Sequence, residues 1–138
     1  MSATGSCLCK AVSYKLSGTP MTTIQCHCNN CRKIAGTPFQ TNLFFKKSDV
    51  EITGADTLKS YADSNTLSGT EVSRQFCGAC GSTMFASTPN RAEFILVSAG
   101  TVDGGLDDEV LAPKTELFCK DKRSWMGLGK VVDSRDAE

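Results

Sequence analysis

Seven of the eight cysteines fall into three short clusters: Cys7-Leu8-Cys9, Cys26-His27-Cys28-Asn29-Asn30-Cys31 and Cys77-Gly78-Ala79-Cys80-Gly81. Thiolates are soft ligands, and thiolates at these spacings are the pattern of metal coordination, with zinc the best fit. The third cluster is a knuckle, in which glycines let the backbone fold so that both sulfurs face one ion. A knuckle supplies half a tetrahedron. Pairing it with Cys7 and Cys9 completes a closed four-thiolate site that ties the start of the chain to its middle. Closing so long a loop costs about 4 kcal/mol of chain entropy. A structural zinc contributes roughly 10–16 kcal/mol, so the metal is expected to be needed for folding.

The middle cluster then holds three cysteines, Cys26, Cys28 and Cys31, without an obvious fourth ligand. Three protein ligands and an exchangeable position are the arrangement of catalytic zinc. A short helix expected from about Asn29 to Ile34, stopped at Gly36, places Cys28 and Cys31 at its N-terminus, where unpaired amides favour thiolate. Arg32 and Lys33 add positive charge beside a site that is net negative when loaded. Three thiolates donate too much charge for a strong hydroxide generator, and suit the capture of a substrate thiol instead. Ionising a thiol of pKa near 8.5 at neutral pH is worth at most about 2 kcal/mol.

Other readings of these residues stay open. Disulfides are disfavoured because the two members of a C-x-C pair bridge only with strain. A single four-cysteine site with the other thiols as packing residues is a second reading, and iron–sulfur ligation a third. His27 is read as a fourth ligand, as a proton shuttle, or as a ring turned away by its neighbours' geometry. Cys119 reads as a core residue. Asp103, after a Gly-Thr turn, reads as a capping residue or as an acid or base.

The elements that must position these groups are short strands. Residues 11–16, 22–25, 39–45, 49–52, 57–61, 71–76, 83–86, 94–98 and 115–119 have strand length and composition, with turn residues between them. That spacing predicts a mainly β, antiparallel domain. Residues 121–125 are a second candidate helical turn. One domain is expected over residues 1–126, followed by a charged tail, 127–138, lacking core signals.

Lys and Arg total 15 against 15 Asp and Glu and are scattered, which argues against nucleic acid as a partner. No apolar run reaches membrane-spanning length, and Met1 to Ser6 has no signal-peptide pattern, so a cytoplasmic protein without a membrane role is expected.

The motifs resemble those of the glutathione-dependent formaldehyde-activating enzyme family. Residues 5–14, Gly-Ser-Cys-Leu-Cys-Lys-Ala-Val-Ser-Tyr, are similar to its opening G-x-C-x-C-x-A-V-x-Y. Residues 26–36 are similar to its C-H-C-x-x-C-R-K-x-x-G centre, and residues 76–82 to its F-C-x-x-C-G-S knuckle. Ala99-Gly100-Thr101-Val102-Asp103 and Arg123-Ser124-Trp125 resemble the later A-G-T-L-D and R-x-x-W segments. One departure is that the family's H-I-F stretch is Glu116-Leu117-Phe118 here; another is that little sequence follows Trp125.

The resemblance implies two stacked antiparallel sheets with zinc knuckles, as in the Rab-binding nucleotide-release chaperone fold. It implies two zinc ions, one held by Cys7, Cys9, Cys77 and Cys80, the other at Cys26, Cys28 and Cys31. It further implies a carbon–sulfur lyase that condenses glutathione with formaldehyde to S-(hydroxymethyl)glutathione, or acts on a related thiol and carbonyl. Arg32, Lys33 and Arg74 are then candidates for gripping glutathione's carboxylates. The competing functions are a non-catalytic zinc-stabilised module that binds glutathione or a protein, and a lyase or dehydratase acting on another small molecule.

Overall fold

Sequence alternation sets the strands. In β2 (Ser13–Ser17), Tyr14 and Leu16 are buried while Lys15 and Ser17 face solvent, the period-two signature of a sheet with one covered face. A computed structural model describes residues 2–127 and Arg135. The remaining elements are β1 (Ser2–Ser6), β3 (Thr22–Cys26), α1 (Asn29–Ala35), β4 (Gln40–Lys46), β5 (Val50–Thr53), β6 (Leu58–Asp63), β7 (Val72–Cys77), β8 (Thr83–Ser87), β9 (Phe94–Ser98), β10 (Val102–Gly104), α2 (Asp108–Leu111) and β11 (Thr115–Leu117). Most of the charged tail expected from 127 lies outside the described residues.

Two sheets form. One has four strands in the order β10-β1-β2-β5, and the other seven in the order β11-β3-β4-β9-β8-β7-β6. Their covered faces share one core: Val12, Tyr14 and Leu16 pack with Leu43, Phe45, Met84, Phe85, Ile95 and Val97. Tyr14 meets Phe85 edge to face with ring centres 5.5 Å apart, the arrangement aromatic quadrupoles favour. The mainly β expectation holds, with two strands beyond those expected, β1 and β10.

One pairing departs from the antiparallel expectation: β11 runs parallel to β3, with Thr115 opposite Ile24 and Leu117 opposite Cys26. The direction has a consequence for the chemistry. It brings Glu116, Leu117 and Phe118 to the end of β3 where the middle cysteine cluster begins, and the His27 amide donates to the Leu117 carbonyl at 3.0 Å.

Two glycines permit close approaches. A Cβ on Gly5 would land on the Tyr14 ring, and one on Gly54, whose φ is +80°, on the Ala11 carbonyl oxygen inside the first cysteine loop.

Candidate metal centres

The two sulfur clusters are built by different local structures. Cys7 and Cys9 lie in the turn after β1, Cys77 ends β7, and Cys80 lies in the turn that joins β7 to β8. Their four sulfur atoms lie within 4.8 Å of one another, with Cys7 to Cys9 at 3.7 Å and Cys9 to Cys77 at 3.8 Å. Tetrahedral zinc with bonds of about 2.3 Å spaces its sulfurs about 3.8 Å apart. A disulfide brings them to about 2.05 Å. All eight cysteines are free thiols, so the donor set fits zinc.

Backbone and hydroxyl donors hold this cluster. The Val12 amide donates to the Cys7 sulfur at 3.3 Å, and the Ser82 hydroxyl lies 3.2 Å from the Cys80 sulfur. Ser82 also accepts from the Leu8 amide at 3.0 Å, joining the two loops directly. Gly81 makes the knuckle's turn at φ +78°, with its amide on the Cys77 carbonyl at 2.8 Å. The Ser82 hydroxyl and amide pull the Cys80 thiol down to about 5. The Ala11 amide pulls Cys9 the same way, but desolvation and the thiols of Cys7, Cys80 and Cys77 outweigh it and raise Cys9 to about 11. Crowded thiols share protons in this way until a cation compensates several thiolates together.

The middle cluster forms where β3 enters α1. Cys26 ends the strand, Cys28 is the helix N-cap, and Cys31 lies in the first turn. The Cys28 sulfur accepts the Cys31 amide at 3.3 Å, taking the place of the usual oxygen cap. The helix thus begins at Asn29, as expected, and Gly36 ends it in the left-handed region at φ +66°. All three sulfurs are buried and lie within 4.8 Å of one another. The Cys31 thiol lowers Cys26 by donating to its sulfur, whereas that same bond, with burial, raises Cys31. Burial pushes Cys28 up.

Among the described residues, no fourth thiol, histidine nitrogen or carboxylate oxygen joins the three sulfurs within that distance. His27 is fully buried, and its Nε2 faces Glu116 Oε1 at 3.1 Å; Lys122 Nζ donates to the same oxygen at 2.9 Å. His27 Nδ1 has no hydrogen-bond partner among the described residues. Of the three readings of His27, direct ligation loses its support. Phe118 packs against the cluster from the β11 side.

The family model for the glutathione-dependent formaldehyde-activating enzyme matches residues 2–121. The chain belongs to this family. A crystal structure of a Rhodobacter sphaeroides protein, a structural genomics target, is similar in fold, with a TM-score of 0.60 and 22% identity over 82% of this chain and 98% of that one. No curated protein matches the chain.

The other candidate residues of this family member are placed as follows. Arg32 Nη1 donates to the Asp121 carbonyl at 2.8 Å, holding the turn after Phe118 to α1. Lys33 lines three clefts, one shared with Gln40 and Thr101, one with Tyr61 and Arg74, and one with Pro38 and Arg123. Arg74 is buried: its Nε donates to Asp63 Oδ2 at 2.8 Å and its Nη1 points to the Cys31 sulfur at 3.9 Å. Asp103 accepts from the Ser6 hydroxyl at 2.7 Å across the β1–β10 pair, so it ties strands together rather than capping a turn. Cys119 is exposed, not a core residue; Phe118, at φ +55°, turns inward and leaves its successor outside.

Asp63 carries no motif, and Glu116 and Phe118 stand out in the sequence only as the departure from the family's H-I-F stretch, which by itself signals no role at the centre. Each reaches the centre only through strand register, β6 against β7 or β11 against β3.

Proposed function

We propose that the protein is a two-zinc carbon–sulfur lyase that acts on a small thiol, with glutathione and formaldehyde as its first substrates. The observation that carries this reading is the inequality of the two clusters: four sulfurs in one, three in the other, with no further protein ligand beside the three among the described residues. Cys7, Cys9, Cys77 and Cys80 would hold a closed structural ion, and Cys26, Cys28 and Cys31 an ion with one position left for substrate. Zinc at the second centre would supply a soft Lewis acid that favours the ionised form of an incoming thiol.

The chain's own residues do the rest. Cys28 and Cys31 are fixed by the first turn of α1, where the Cys31 amide donates to the Cys28 sulfur. Phe118 covers the cluster and limits water around it, which strengthens charge interactions there. His27, held by Glu116, keeps one ring nitrogen for a proton, and its burial beside the ligands suits it to exchanging one with a substrate during addition or elimination. Lys33 and Arg32 place positive charge at the helix flank, where a substrate carboxylate would dock. Family membership supports the glutathione and formaldehyde assignment.

Exchange between free formaldehyde, glutathione and S-(hydroxymethyl)glutathione, followed by NMR exchange spectroscopy, tests the reading. The zinc-loaded protein is expected to raise the exchange rate above the spontaneous rate, and Cys28→Ser to abolish the increase. Exchange at the spontaneous rate, with glutathione still bound, would replace the enzyme by a binding module.

A further inference from the structure

Beside the three-cysteine cluster lies a buried polar network that ligand counting does not require. Arg74 and Asp63 form an ion pair at 2.8 Å with both side chains under one-tenth exposed. Asn30 Nδ2 lies 2.9 Å from each Asp63 oxygen and 2.8 Å from the Asn65 carbonyl. Asn30 immediately precedes Cys31, so the amide that fixes the carboxylate and the sulfur that meets the guanidinium lie on one helical turn. Three elements, α1, β6 and β7, thereby converge on one sulfur.

We propose that Arg74, oriented by Asp63 and Asn30, is a positioning residue for the three-cysteine centre. Its Nη1–H donates to the Cys31 sulfur and offsets part of the excess negative charge that three thiolates bring to a divalent ion. A buried ion pair alone is weak evidence of a stabilising role, since desolvation cancels much of its attraction. A guanidinium presents donors in several directions, however, and here one faces the carboxylate while another faces sulfur. Groups that hydrogen-bond a metal's ligands set ligand basicity and orientation, and losing one typically costs 10–100-fold in metal affinity. The four-cysteine centre has backbone amides and Ser82 in that role and lies outside this network, so the effect is confined to one of the two sites. The inference rests on the reading of Cys26, Cys28 and Cys31 as a metal centre.

The test is competition of the full-length protein with a zinc chelator, alongside spectra of the cobalt(II)-substituted form. Arg74→Gln is expected to weaken the three-cysteine site by roughly 10–100-fold, leaving the four-cysteine site unchanged. The sulfur-to-cobalt charge-transfer band is expected at lower energy, because a thiolate without its donor holds its electrons less tightly. Arg74→Lys keeps a cation but not the fork, and is expected to fall between the two. If Arg74→Gln does not fold, Asn30→Ala decides: it leaves Arg74 and Cys31 in place while loosening Asp63, and should shift affinity and band in the same direction by less. Wild-type affinity with an unmoved band in the folded variant overturns the role of Arg74. Uptake of only one zinc by the wild type overturns the underlying metal-centre reading, and the inference with it.

Discussion

Replacing one sulfur in each centre by oxygen should have very different consequences. Cys77 is wholly buried at the end of β7 and shares its centre with Cys9, 68 positions earlier. An ion that closes such a span holds together ends whose separation entropy is about 4 kcal/mol, and a structural zinc contributes roughly 10–16 kcal/mol in compensation. A serine hydroxyl is a poor substitute for thiolate, and burying it unpaired costs a further ~1–3 kcal/mol. Domain stabilities are typically about 5–15 kcal/mol, so Cys77→Ser is expected to remove most of the folded state. Cys28→Ser removes a ligand of the other centre, but serine is itself a favoured N-cap and can accept the Cys31 amide in place of sulfur. That variant is expected to keep its fold within about 2 kcal/mol of the wild type. Urea unfolding followed by circular dichroism, with zinc counted by native mass spectrometry, reads both. Equal destabilisation by the two substitutions would refute the division into a folding centre and an open one.

Other outcomes follow from single observations. Gly54→Ala should destabilise the fold by at least about 2 kcal/mol, read by urea denaturation, because alanine is strained at φ +80° and its methyl meets the Ala11 carbonyl. Phe85→Ala, deep in the shared core, should cost about 3–5 kcal/mol in the same assay, with zinc content unchanged. Burial raises the Asp63 carboxyl, but Asn30 and Arg74 together hold it below its usual range. Its pairing therefore adds stability above about pH 4 that is lost as pH falls through the lowered native value. The stability gap between wild type and Asp63→Asn should narrow below about pH 4, and a gap constant with pH would contradict this.

Much of the four-cysteine centre was legible because its spacing carries geometric meaning: a C-x-x-C knuckle needs two more sulfurs, and Cys7-x-Cys9 offers them. Strands such as 94–98 were legible from their composition. β1 was not, because Ser2 to Ser6 is small and polar, and it becomes a strand only by pairing with β2 on one side and β10 on the other. The surroundings of the three-cysteine centre were the least legible. Asp63 and Arg74 are brought together by hairpin register, and Glu116 and Phe118 by a parallel pairing that closes 89 positions after His27. Such contacts between distant residues leave no local pattern in the chain.

The two proposed metal centres differ by one sulfur ligand. Zinc-edge X-ray absorption on the fully loaded protein measures this directly. Averaged over the two ions, the fit should give between three and four sulfur neighbours per zinc together with a lighter atom, the lighter atom giving way to sulfur when glutathione is added. A single all-sulfur shell that glutathione leaves unchanged would contradict it.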